Sequence, residues 1–239
     1  MKKEIHSANG GKQAVKKEKQ QKSKFSKPLR QKGGTYFYCG SIIGRKNIFV
    51  TNEYVDLLVN AFKATELKKD IKNLAYVVMP NYFYWIFRLN EKQDDPVKIY
   101  AEVKKDVGGA ILRNLKQEVV EGSFKMPKFF EENERVNRST PQKLLWTFEM
   151  FGKDFESSKR YRVWTPRTEI RLIDTDELLQ QKLKNIKKAP ITERWKMTKK
   201  ALDYPYLYLD EELDEEKIKE SKLTDFLPVI NVESAEVSA

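Results

Sequence analysis

The sequence predicts an α+β domain with a mainly antiparallel sheet, and three observations carry that prediction. The element order is strand, helix, two strands, helix, further strands and a last helix. The two central strands are separated only by Pro80-Asn81, too few residues for a crossover helix, so they pair as an antiparallel hairpin. Strand and helix patterns do not alternate strictly, which argues against a doubly wound parallel sheet. With 40% apolar and 12% aromatic residues among 239, the chain can bury a substantial core, and the length fits one domain with tails.

Thr35 to Ile43 is rich in Tyr, Phe and Ile and reads as a strand. Asn52 to Leu67 places Val55, Leu58, Val59 and Phe62 at helical spacing. Leu74 to Met79 is a strand, Pro80-Asn81 a tight turn, and Tyr82 to Leu89 a second strand. Asp95-Pro96 opens a helix, with Asp as N-cap and Pro in the first turn, running to about Val119. Gly108-Gly109 is expected to loosen it. Pro141 to Phe151 is a shorter helix, and Arg160 to Trp164 and Glu169 to Ile173 are short strands. Asp174 and Glu177 have capping-box spacing, starting a helix through Lys188 that Pro190 stops.

Charge is unevenly distributed. The chain carries a formal +11, with 46 Lys and Arg against 35 Asp and Glu. Residues 1–34 hold 11 basic residues and two acids with few large apolar side chains, and are expected to be a disordered basic tail. Residues 209–239 hold ten acids and three lysines, an acidic tail. The domain between them, 35–208, has 32 basic and 23 acidic residues, an excess of its own. An acidic tail folded back on that surface would compete with phosphate, and deleting 210–239 would then raise affinity for nucleic acid.

One histidine, His6, lies in the leader, and the lone cysteine is Cys39. Ser-His-Asp and Cys-His catalysis need a histidine held by a folded core, and structural zinc needs more Cys and His ligands than two. A single cysteine forms no internal disulfide. No phosphate-binding glycine fingerprint is present. The longest apolar stretch, Leu74 to Leu89, is interrupted by Pro80 and Asn81 and is too short to span a bilayer, and the N-terminus lacks the apolar block of a signal peptide. These features predict a cytoplasmic protein with no membrane partner.

The most distinctive segment is Ala75-Tyr76-Val77-Val78-Met79-Pro80-Asn81-Tyr82-Phe83-Tyr84-Trp85-Ile86-Phe87. Alternation on the second strand puts Tyr82, Tyr84 and Ile86 on one face and Phe83, Trp85 and Phe87 on the other. A strand buried on both faces is the plain reading of such a composition. The segment also resembles the hairpin of single-tyrosine HUH transposases, especially the REP-associated tyrosine transposase branch, which carry "AYV-MPNH-hydrophobe-H" there. The likeness extends over Gly34 to Tyr206. It includes Gly44-Arg45-Lys46-Asn47-Ile48-Phe49, the helix from Asp95-Pro96, Val163-Trp164 with Ile170-Arg171-Leu172-Ile173, Leu183 to Pro190, and Asp203-Tyr204-Pro205-Tyr206.

The resemblance implies a ferredoxin-like antiparallel sheet with helices packed on it. In that family two strand histidines bind a divalent metal such as magnesium, and a helical tyrosine attacks a DNA phosphate. Here Tyr82 and Tyr84 stand at the histidine positions and Asn185 at the nucleophile position. A phenol is a poor magnesium ligand at neutral pH, and a carboxamide is no nucleophile for phosphoryl transfer. No catalytic residue, metal ligand or cofactor is therefore assigned. The resemblance implies an insertion-sequence transposase relative that binds single-stranded or hairpin DNA without cutting it. The alternatives are a nickase with other metal ligands, for which Asp94-Asp95 and Glu131-Glu132 are the paired carboxylates, and a protein-interaction module on the same scaffold. Both monomer and homodimer are open.

Nucleic-acid contacts are assigned to basic residues interleaved with aromatics. The strongest cluster is Lys159-Arg160-Tyr161-Arg162-Val163-Trp164, where a strand would put Arg160 and Arg162 on one face, with Arg167 beyond it. Arg45, Lys46, Lys104, Lys105, Lys187 and Lys188 add charge, and Tyr82 and Tyr84 are placed either to stack on a base or to plug the vacated pocket.

Overall fold

The structure is a computed structural model that describes residues 30–69, 71–92, 95–122, 136–153, 160–166 and 169–213. Most of the basic leader, the acidic segment from 214 onward, Asp94, Glu131-Glu132 and Arg167 lie outside the described residues.

The elements are β1 (Thr35–Ser41), α1 (Asn52–Lys69), β2 (Ile71–Met79), β3 (Tyr82–Leu89), α2 (Pro96–Glu121), α3 (Pro141–Lys153), β4 (Glu169–Ile173), α4 (Asp176–Lys188) and β5 (Leu207–Leu209). The sheet order is β4-β1-β3-β2-β5, and every pairing is antiparallel. The first four strands have the order of a ferredoxin-like sheet, and β5 extends it at the β2 edge. The hairpin forms with Met79 opposite Tyr82.

Strand alternation sorts the side chains onto two faces. Tyr36 and Tyr38 of β1, Tyr76 and Val78 of β2, and Phe83, Trp85 and Phe87 of β3 pack against α1, α2 and α3. Trp85 is fully buried, stacks on Phe62 of α1 at 4.5 Å between centroids, and donates its indole N–H to Asn73 Oδ1 at 2.7 Å. Phe37, Val77, Met79 and Ile86 face the other way, toward Leu183 and Ile186 of α4 together with Trp195 and Tyr204. The sheet is therefore covered on both sides.

Several local expectations are corrected. Arg160 to Trp164 is not a strand: only Trp164 makes a β-bridge, to Ile42. Its neighbours bond elsewhere, Arg162 N–H donating to Phe148 O and Ile43 N–H to Val163 O. Gly108-Gly109 does not loosen α2, which runs unbroken. A Cβ on Gly108 would lie 2.9 Å from Trp164 Nε1, so the bare backbone admits the indole, which donates to Lys104 O at 2.8 Å. The N-cap of α4 is Thr175, whose hydroxyl accepts from Leu178 N–H, rather than Asp174. The end of α4 is as the sequence predicts, the α-helix stopping at Lys188 and a 3-10 turn, Ala189–Ile191, carrying Pro190. The cap on α2 is as the sequence predicts, Asp95 accepting from Lys98 N–H with Pro96 behind it.

At both ends the packed chain runs past 35–208. Leu89 N–H donates to Gly34 O, Asp210 N–H donates to Leu74 O, and Leu213 is buried. Among the described residues no helix is long and apolar enough to cross a membrane.

Candidate nucleic-acid interface

Two clefts gather most of the sequence-assigned residues. The first, the tyrosine cleft, has a volume of about 770 Å³ on the α4 side of the sheet. β3 supplies Tyr82 and Tyr84 to its floor, and the segment after α4 supplies Arg194 and Trp195. Arg45 comes from the turn after β1. That turn is stitched to the hairpin: the Asn81 side-chain amide donates to Arg45 O at 3.0 Å and to Asn47 Oδ1 at 2.9 Å, and Pro80 O accepts from Ile48 and Phe49 N–H. Arg45 is held in the left-handed region, φ 51°, directly after Gly44 at φ 62°. Asn81 is thus a clamp that fixes where Arg45 emerges.

A row of cations and rings lines this side of the sheet. The Arg194 guanidinium lies 4.9 Å from the Trp195 ring, Trp195 6.4 Å from Tyr82, Tyr82 5.1 Å from Tyr84, and Tyr84 5.4 Å from Phe37. Lys182 Nζ closes the row 4.2 Å over Phe37 and pairs with Glu169 at 2.7 Å. Burial pushes the Tyr82 phenol well up, the neighbouring Tyr84 adds to the effect, and a hydrogen bond from Trp195 opposes it. Burial raises Tyr84 as well. Cys39, on the same face, is raised to about 11 by burial, so its thiol is protonated at neutral pH.

This donor set does not fit a divalent metal. Two neutral phenols and a protonated thiol offer no anionic oxygen, and hard cations take carboxylates, carbonyls and water. Among the described residues no group of three or more His, Cys, Asp or Glu converges to hold one. Tyr82 and Tyr84 are equally poor nucleophiles, because their phenolates are disfavoured. Asn185 is exposed on α4 and does not line the cleft. Leu183 and Ile186 of α4 pack on this face of the sheet, and Lys182, one turn before Asn185, brings a charged group to it.

The second, the lysine cleft, has a volume of about 430 Å³ and lies between α2 and the 161–166 segment. Lys104, Lys105 and Arg162 contribute charge, and Tyr100, Tyr161 and Trp164 contribute rings. Lys104 Nζ donates to Thr165 O at 3.4 Å and lies 6.0 Å from the Trp164 ring. Burial lowers its amine to about 8, with Arg162 adding repulsion. Thr165 and Pro166 line both clefts and form the wall they share.

Of the assigned residues, the structure therefore collects Arg45, Tyr82 and Tyr84 in one cleft and Lys104, Lys105 and Arg162 in the other. Lys46, Arg160, Lys187 and Lys188 line neither. Arg160 instead pairs with Glu149 at 3.2 Å and lies over the Tyr161 ring at 5.3 Å. Sequence reasoning missed Arg194, Trp195 and Lys182. The Arg194-Trp195-Lys196 run carries the same interleaving of basic and aromatic residues that singled out 159–164, and that signal would have found the first two.

No family model matches the chain, and no curated protein is significantly similar to it. Among solved structures it is similar to a REP-associated tyrosine transposase bound to a REP hairpin, at 17% identity and a TM-score of 0.48, over 90% of this chain and 93% of that one. The likeness is distant.

Proposed function

We propose that this protein binds single-stranded or hairpin DNA along the two joined clefts and does not cut it. The observation that carries the reading is that both clefts border Thr165-Pro166, with Arg45, Arg194 and Tyr82 lining one and Lys104, Lys105, Arg162, Tyr100 and Tyr161 lining the other. Basic grooves with exposed ring edges suit unpaired strands, since phosphates meet cations and bases meet π-faces. The Ala75–Phe87 resemblance to transposase hairpins points to DNA rather than RNA. Loss of catalysis is supported by the neutral phenols where that family holds its metal ligands, and by an exposed carboxamide at the nucleophile position.

Measuring affinity for labelled single-stranded and hairpin DNA across a salt series tests the binding. Engagement of five cations predicts a slope of about −3 to −4 in log K against log salt for a single strand. Absence of binding at low salt would favour a protein-interaction module instead.

A further inference from the structure

We infer that the lysine cleft seats one unstacked nucleotide of a bound strand, its base against Tyr100, Tyr161 and Trp164 and its phosphate held by Lys104, Lys105 and Arg162. The inference rests on the DNA-binding reading and adds a specific place for one residue of the strand.

The geometry limits the ligand in three ways. The volume of about 430 Å³ falls within the range of small-ligand sites, roughly 300–1,000 Å³, and holds one nucleotide rather than a run of them. The walls are mainly apolar and aromatic, as a base needs, and Lys104, Lys105 and Arg162 bring three cations to one cleft. Burial lowers the Lys104 amine and Arg162 adds repulsion, so a phosphate seated beside them would meet concentrated positive charge. Finally, Thr165-Pro166 is lining common to both clefts, so a strand lying across it presents nucleotides to each side.

Gly109 offers a clean way to close the cleft. It lines the cavity on α2, and a Cβ there would meet only Arg113 Nη1, at 3.5 Å. Leu is also a better helix former than Gly, so Gly109→Leu fills the cavity without unfolding the helix.

The test uses the full chain and a 12-residue oligothymidylate carrying one 5-iodouracil, irradiated after binding and mapped by mass spectrometry. The inference predicts a crosslink at Tyr100, Tyr161 or Trp164, lost in Gly109→Leu. It also predicts affinity about tenfold weaker in that variant, the worth of one stacked base, with an undiminished melting temperature. Lys104→Gln with Arg162→Gln should weaken binding comparably while the rings stay in place. Crosslinks confined to Tyr82 or Trp195, with Gly109→Leu binding as wild type, would overturn the inference and leave the DNA-binding reading intact. An oligonucleotide that does not bind at all would overturn both. Thymidine 5′-monophosphate competing at the same concentration as the oligonucleotide would assign the cleft to a free nucleotide and overturn the strand inference.

Discussion

The two faces of β3 differ in what covers them. Phe83, Trp85 and Phe87 are fully buried beneath the helices, and the only polar atom of Trp85 is satisfied by Asn73. Tyr82 and Tyr84, one residue out of phase, are half-buried and line an open cleft. A single strand with an almost uniform aromatic composition thus gives one face wholly to the core, while the other buries Ile86 and leaves Tyr82 and Tyr84 at the edge of an open cleft. Composition does not distinguish these roles. What covers each face does.

That contrast can be broken from either side. The largest effect is expected from Trp85→Ala, which should cost about 3–5 kcal/mol from the cavity alone, with a further penalty from the orphaned Asn73 amide oxygen. Urea denaturation would show it as a lowered midpoint. Tyr82→Ala with Tyr84→Ala should instead weaken single-strand binding by about 1–3 kcal/mol for each stacked base. Unchanged affinity with a large drop in stability would make the two tyrosines mere fillers of the α4 face, like their neighbours across the strand.

Asn81→Ala lies between the two faces. It removes donations to Arg45 O and Asn47 Oδ1, so it should cost about 1–2 kcal/mol of stability and loosen the Arg45 turn. Binding should fall by less than in the double tyrosine variant.

The smallest effect concerns pH. Lys104 is flanked in its cleft by Lys105, Arg162, Tyr100 and Tyr161, and its amine is lowered to about 8. Its positive charge is complete below that value and lost above it. DNA affinity should therefore decline between pH 7 and 9, by less than about tenfold, and Lys104→Gln should flatten the profile over that window. A profile of equal slope in the variant would place the titrating group elsewhere.

Much of the fold was legible because its signals are local. The hairpin follows from two apolar runs around Pro80-Asn81, and the start of α2 from Asp95-Pro96, where the cap is the one observed. The faces of β3 followed from period two alone. Elsewhere tertiary contacts decided. Arg160 to Trp164 has strand-like residues, yet its backbone groups bond to α3 and to the turn after β1 rather than to a ladder. β5 is three residues long and is fixed by long-range pairing with β2 and by Tyr208 stacking on Tyr76 at 5.0 Å, which no window of sequence reveals. The clefts show the same division. Tyr82 and Tyr84 were found by spacing, whereas Arg194 and Trp195 reach them from a non-periodic segment more than a hundred residues away. Asn185, placed by resemblance, is on the expected helix but not in the cleft.

The most direct measurement incubates the full chain with labelled single-stranded and hairpin DNA in magnesium or manganese, then resolves the products on native and denaturing gels. Binding without cutting predicts a salt-sensitive shift on the native gel and an intact, protein-free strand on the denaturing gel. A covalent protein–DNA band or a cleaved strand would contradict the loss of catalysis, and no shift at low salt would contradict DNA binding itself.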